Sequence, residues 1–189
     1  TGPQFTLDGA VTVEAYARLH LGVLDLRGAG GRCFGGIGAA VSSPSLLLSA
    51  HPADEVIVEG QDADRASAFA RQFLQYHHIA NGVHVNVPRA LPSHAGLGSG
   101  TQLALAIARA LAELHGIDTH PRALARAMGR AQRPAIGTWT FAGGGLVVEG
   151  GRRQKGDACG PLIARLPFPE SWRCVVVVPD GPPGISGTD

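Results

Sequence analysis

The sequence predicts an α+β domain, and three observations carry that prediction. Residues 10–59 alternate apolar and polar positions in short runs, so the opening section is mostly strand. Farther on, residues 62–78 and 101–115 place apolar side chains at helical spacing. Between those two helices, residues 91–102 (LPSHAGLGSGTQ) form a glycine-rich turn that leads from a strand into a helix N-terminus.

In chain order, residues 10–18 (AVTVEAYAR) alternate as a strand, and residues 19–26 read as a second extended segment after a kink. Residues 27–41 (RGAGGRCFGGIGAAV) are so rich in glycine that the chain is expected to turn there and pass close to something. Residues 45–50 and 55–59 read as short strands separated by the turn His51-Pro52-Ala53-Asp54. Asp62 is the expected N-cap of a helix reaching about His78, with Ala66, Phe69, Ala70 and Phe73 on one face. A strand over 82–87 feeds the glycine turn, and the helix behind it buries Leu103, Ile107, Leu111 and Leu114 before Gly116 caps it. Asp118 or Thr119 starts a further helix from Pro121 to about Gln132, with Leu124, Met128 and Ala131 on its apolar side. Strands over 146–149, 161–166 and 174–178 complete the reading, with a polar turn holding Lys155 and Asp157 after the first. The last of them, CVVVV, is apolar enough to be central in a sheet.

Composition narrows the class. A chain of 189 residues with 44% hydrophobic content and a net charge of +1 is an ordinary globular domain, neither disordered nor a general nucleic-acid binder. No apolar run approaches the roughly 18 residues that span a bilayer, and TGPQFTLDGA has no leader pattern, so a cytoplasmic location without a membrane partner is expected. The start reads as trimmed, and the ending PDGPPGISGTD as an interruption. Cys33, Cys159 and Cys174 are far apart and form no C-x-x-C pair, which predicts reduced thiols in place of a disulfide framework or zinc site. Lys155 is the single lysine, so arginine must handle bound anions, which it can grip in bidentate fashion. Between residues 81 and 148, six arginines (89, 109, 122, 126, 130 and 133) face two acids (Glu113 and Asp118), a local balance of 6 − 2 = +4. Such a field attracts a small polyanion. Arg122, Arg126, Arg130 and Arg133 also form a basic stripe at helical spacing, whose plain alternative is a solvated face.

The glycine turn has a chemical reading. Gly96, Gly98 and Gly100 let the backbone come close to a ligand, and the unpaired N–H groups of the following helical turn form an anion site. The alternative is an ordinary turn capped by Ser99 or Thr101.

Pro92, Gly96, Leu97, Gly98 and Ser99 resemble the P-x-x-x-G-L-G-S-S-A loop of the GHMP superfamily, which includes galactokinase, homoserine kinase and mevalonate kinase. The resemblance implies that residues 1–189, with an ordered core over about 10–180, form a GHMP-type N-terminal domain, a two-layer, mostly antiparallel mixed sheet with helices. Gly100-Thr101 departs from the kinase Ser-Ala, and residues 133–145 lack the aspartate that kinases place there. Five ordered runs resemble more specifically the β-ribofuranosylaminobenzene 5′-phosphate synthase family: RLHLGVLDL at 18–26, GRCFGGIG at 31–38, GSGTQ at 98–102, RPAIGT at 133–138 and GISG at 184–187. That resemblance implies a GHMP-type fold used without ATP, joining phosphoribosyl pyrophosphate to 4-aminobenzoate or 4-hydroxybenzoate with loss of CO2 and pyrophosphate, in methanopterin-type cofactor synthesis. It further implies Mg2+, a possible homodimer and a C-terminal lobe beyond this chain. An ATP-dependent small-molecule kinase and a non-catalytic phosphate-metabolite module are the alternatives.

The candidate site follows from these motifs. Gly96, Leu97, Gly98, Ser99, Gly100 and Thr101 are the phosphate-binding candidates, with Arg18, His20, Asp25, Arg32, His94 and Arg133 as catalytic candidates. Asp25 or Ser99 could hold Mg2+, since hard cations take oxygen ligands, while Asp25 could equally be a turn aspartate. Arg18 and Arg32 could clamp a phosphate or carboxylate, and His20 or His94 could donate to one. Trp139 reads as core or as an aromatic wall.

Overall fold

A computed structural model describes residues 4–5, 9–130, 134–153, 159–169 and 171–178. Strand β1 (Gln4–Phe5) pairs antiparallel with β2 (Val11–Asp25). The apolar alternation of β2 is what seats it: Val11, Val13, Ala15 and Ala17 are all buried on one side. Strand β3 (Arg32–Ala53) runs antiparallel to β2 from Ala50 opposite Val11 to Phe34 opposite Asp25. The later half of β3 pairs with β5 (Gly82–Arg89), and β4 (Val56–Gly60) lies parallel to β5. The early half pairs with β6 (Leu146–Glu149) and β7 (Arg152–Arg153), and β6 carries β8 (Leu162–Leu166). The sheet is therefore mixed and mostly antiparallel, as expected.

Among the described residues four helices follow: α1 (Ala63–Tyr76), α2 (Ser99–Leu114), α3 (Pro121–Ala127) and α4 (Ile136–Gly143). Helix α2 is central. Residues 103–108 are all fully buried, so it is apolar all round and not merely striped. Val83, Val85 and Val87 from β5 meet Ala66, Phe69, Ala70 and Phe73 from α1 in the same core. Leu103, Ile107 and Leu111 are buried as expected, and Leu114 is half-buried at its edge. Gly116 ends α2 with φ 63°, and the Ile117 amide returns to Ala112 O at 2.8 Å. Gly116→Ala is expected to cost about 1 kcal/mol, because alanine resists the left-handed region; urea denaturation would read it.

Several expectations are corrected. The two extended segments over 10–26 are one strand, its irregularity confined to register shifts at Tyr16/Ala17 and His20/Gly22. The glycine-rich stretch turns only before Arg32; from there through Ala53 the chain is one long strand, which absorbs the turn expected at 51–54. Its glycines serve close packing: a Cβ at Gly38 would run into Ile136 and the Leu19 carbonyl. Asp62 stands at the N-cap of α1 with φ 57°, but its carboxylate makes no cap bond and instead pairs with Arg65 at 2.7 Å. Helix α3 is shorter than expected and is capped by His120, whose Nδ1 accepts the Arg122 amide at 3.3 Å, while Asp118 accepts the His120 amide. Helix α4 was not anticipated. Residues 174–178 form no strand, and Val175 and Val177 stand 87% and 81% exposed, with no sheet neighbour among the described residues. Ala131, Arg133, Lys155, Asp157 and the GISG run lie outside the described residues. Among the described residues, no helix is long and apolar enough to cross a membrane.

A candidate anion site at the start of the central helix

Leu97, 3% exposed, anchors the glycine turn in the core, and Gly98 (φ 79°) is the N-cap of α2. Neither Ser99 nor Thr101 caps the helix, since α2 has no side-chain cap bond and no acid in its first turn. The amides of Thr101 and Gln102 fold back onto Gly98 O at 3.0 Å each. The earliest amides and the positive end of the dipole are thus left to an outside acceptor. The tip, with His94 (φ 57°) and Gly96, is exposed.

Arg18 ties this turn to β2. Its amide donates to Leu97 O at 3.1 Å and its Nη1 to Gly96 O at 3.0 Å. The side chain lies across Gly98, where a Cβ would come within 2.9 Å of Cγ and 3.0 Å of Nε. Burial pulls the guanidinium below its usual pKa, but arginine remains a cation at physiological pH. Gly137, in the first turn of α4, closes the arrangement: a Cβ there would lie 2.9 Å from Thr101 Cγ2 and 3.8 Å from Arg18 Nε. Gln102 holds α4 in place by donating from Nε2 to Gly137 O at 3.1 Å. The Gln102 Oε1 atom is buried without a partner among the described residues. Strand β2, the loop, α2 and α4 therefore converge on one arginine and a set of outward amides.

The remaining predicted residues fall in different places. His20 sits opposite Gly38, with Nε2 3.2 Å from Gly22 O. Burial and then the Arg18 charge push its pKa down, with the Gly22 carbonyl partly opposing, so the ring is neutral at neutral pH. Asp25 lies seven residues beyond Arg18, roughly 20 Å along the strand. Its Oδ1 accepts the Arg27 and Gly28 amides at 2.8 Å each, and such bonds hold the carboxyl below its ordinary pKa. Arg32 is at that same far end and donates from Nη1 to Gly151 O at 2.9 Å. The basic stripe separates: Arg122 donates to Cys159 O at 3.0 Å, Arg126 is exposed, and Arg130 turns toward Gly100. Among the described residues, no three His, Cys, Asp or Glu side chains converge as metal ligands; Asp25 lies at the turn end of the β2–β3 hairpin, and Ser99 is the first residue of α2. Trp139 is core, its Nε1 donating to Gly160 O at 2.9 Å.

One residue escaped the sequence reading. Glu149 is fully buried at the end of β6, where Oε1 accepts the Ala135 amide at 3.1 Å and Oε2 the Gly151 amide at 2.9 Å. Burial raises its pKa, and the two amides only partly oppose this. The signal for it was a single acid closing the apolar run LVV ahead of two glycines.

The sheet, the central helix and its uncapped start define a GHMP-kinase-type N-terminal domain, and the family described as GHMP kinases N terminal domain matches residues 64–144. Within that fold class the chain is similar to proteins named β-ribofuranosylphenol 5′-phosphate synthase. It is 34% identical to the enzyme of that name from Methanothermobacter thermautotrophicus, over 93% of this chain and 60% of that protein. The same identity, 34%, holds for the Archaeoglobus fulgidus protein of that name, over 87% of this chain and 56% of its length. The chain thus spans 60% and 56% of the length of these two relatives. Among solved structures, a 4-(cytidine 5′-diphospho)-2C-methyl-D-erythritol kinase superposes with a TM-score of 0.58 at 21% identity, covering 84% of this chain and 56% of that one. That likeness concerns the fold.

Proposed function

We propose that the protein acts in a decarboxylating phosphoribosyl transfer that makes an aromatic C-riboside for methanopterin-type carriers in the cytoplasm. Phosphoribosyl pyrophosphate is the donor. The acceptor is 4-hydroxybenzoate in preference to 4-aminobenzoate, because the names of the relatives specify a phenol. The ring carbon bearing the carboxylate forms a bond to ribose C1, and pyrophosphate leaves with the electron pair of the C1–O bond. The ring then expels CO2, returning that bond's pair to the aromatic system, so the step needs no oxidant or reductant.

The observation that carries this reading is the uncapped α2 start crossed by Arg18, which is suited to binding an anionic phosphate group of the donor. A kinase reading needs a carboxylate base near the loop. Between residues 133 and 145 there is none, and Gly137, packed on Thr101 and Arg18, leaves no room for a side chain. Among the described residues, no three His, Cys, Asp or Glu side chains converge to hold a metal ion by themselves. A divalent ion would have to enter on the oxygens of the diphosphate itself.

The test uses full-length protein. Release of CO2 from carboxyl-labelled 4-hydroxybenzoate should require phosphoribosyl pyrophosphate, and that donor, not ATP, should raise the melting temperature. A melting shift with ATP alone, and no CO2 release, would replace this reading with the kinase. At the site itself, Arg18→Gln is expected to weaken donor binding by about 30-fold, the loss of a charge-assisted contact worth about 2 kcal/mol. Calorimetric titration would measure it.

A further inference from the structure

A second arginine, Arg130, approaches the same helix start at Gly100, and Arg65 stands near it. Arg130 follows α3, and its Nη1 lies 4.0 Å from the position a Cβ would take on Gly100. The guanidinium stacks on α1, with Cζ 4.9 Å from the Phe69 ring centroid. Its Nε is shielded from solvent and has no hydrogen-bond partner among the described residues. Arg65, on α1, is near enough for its charge to act on Arg130 in addition to burial, and both effects lower the Arg130 pKa. Arg65 Nη2 stands 2.7 Å from Asp62 Oδ2, while its Nε is also buried without a partner. Two guanidiniums against one carboxylate leave a net positive charge beside amides that themselves seek an acceptor. Like charges held together with unpaired buried donors are unfavourable in the bare chain, and an anion would relieve both costs.

We propose that Arg130, supported by Arg65, forms a second anion subsite at the Gly100 end of the loop, and that it takes a diphosphate group. Arg18 serves the other end of the loop, at Gly96 and Gly98. The inference rests on the phosphoribosyl-transfer reading in one respect: that substrate carries a diphosphate as well as a separate phosphate, and two positive ends of one loop match two anionic groups. Stacked on Phe69, the planar fork of Arg130 is already oriented, so little freedom is lost on gripping a diphosphate.

The test is calorimetric titration of the full-length protein with inorganic pyrophosphate and with inorganic phosphate. Arg130→Gln should weaken pyrophosphate binding by about tenfold or more and phosphate binding by less than about threefold. Arg130→Lys should fall between, since a point charge replaces a fork. Arg65→Gln, which leaves the Phe69 stack intact, should repeat the selective loss on a smaller scale and carries the test where the Arg130→Gln melting temperature drops. Unchanged pyrophosphate affinity in both folded variants would overturn the subsite alone. Equal proportional losses for the two ligands would also overturn it, assigning the arginines to the general field of the domain. If the parent protein binds neither pyrophosphate nor phosphoribosyl pyrophosphate, the transfer reading and the subsite fall together.

Discussion

Gly98→Ala is expected to weaken binding of phosphoribosyl pyrophosphate by about 100-fold while the domain stays folded, a loss equivalent to about 2.7 kcal/mol. Two effects combine at this residue. Its φ of 79° lies in the left-handed region, where an alanine costs about 1–2 kcal/mol. The new Cβ would also come within 2.9 Å of Arg18 Cγ, 3.0 Å of Nε and 3.3 Å of Cζ, so the arginine must leave its place and its bond to Gly96 O. Cγ is near the root of the side chain, and its displacement moves the whole guanidinium. Gly96→Ala separates the two causes. Gly96 has a similar φ of 73° but nothing within 4 Å of a Cβ, so its replacement carries the backbone penalty without the collision. Titration of both variants should rank the Gly98 loss well above the Gly96 loss. Equal losses would mean that the loop matters only through its backbone, and Arg18 would lose its role.

That contrast shows what the sequence could and could not disclose. The loop was legible because a glycine cluster between an alternating strand and an apolar helix has few physical explanations. The core of α2 was legible for the same reason, although its burial all round follows from five packed neighbours, β2, β3, α1, α3 and α4, and not from periodicity. The glycines at 35, 36 and 38 fit either a turn or a close approach, and only the close approach is realised. Only the packed helix α4, with Ile136 against Gly38, reveals which use is made of them. Helix α4 itself was hidden by its composition: Gly137, Thr138 and Thr140 are weak helix formers, and Thr140 Oγ1 donates back to Ile136 O at 2.9 Å. The CVVVV run failed in the opposite direction. Strand propensity was present, but a strand exists only by pairing, and the described residues offer those valines no partner. Among the site candidates, Arg18 and the loop come together because the β2 register places them so, while Asp25 and Arg32 lie at the far end of the same hairpin. No spacing rule in one dimension separates those two ends.

Glu149→Ala should be the most destabilising single change near the site, at about 2–5 kcal/mol. It leaves the Ala135 and Gly151 amides buried without their acceptor and opens a void beside Gly160. The pH dependence of Glu149→Gln tests the cause. Burial raises the folded-state pKa of Glu149 above its unfolded value of 4.5, so the folded chain holds this proton more tightly than the unfolded one. The stability that the protonated group contributes is fully present below the unfolded pKa and is lost as pH rises through the folded pKa. Glutamine does not titrate. The stability advantage of the parent over Glu149→Gln should therefore narrow as pH rises above the unfolded pKa, as read from urea midpoints at a series of pH values. An advantage that widens with pH would mean that the two amide bonds outweigh desolvation and the charged form is the favoured one. The consequence reaches the ligand because Ala135 is the N-cap of α4, and α4 carries Gly137 against Thr101 and Arg18. A buried carboxyl group thus bears on the anion site through the start of α4, and Glu149→Ala should lower donor affinity as well as stability.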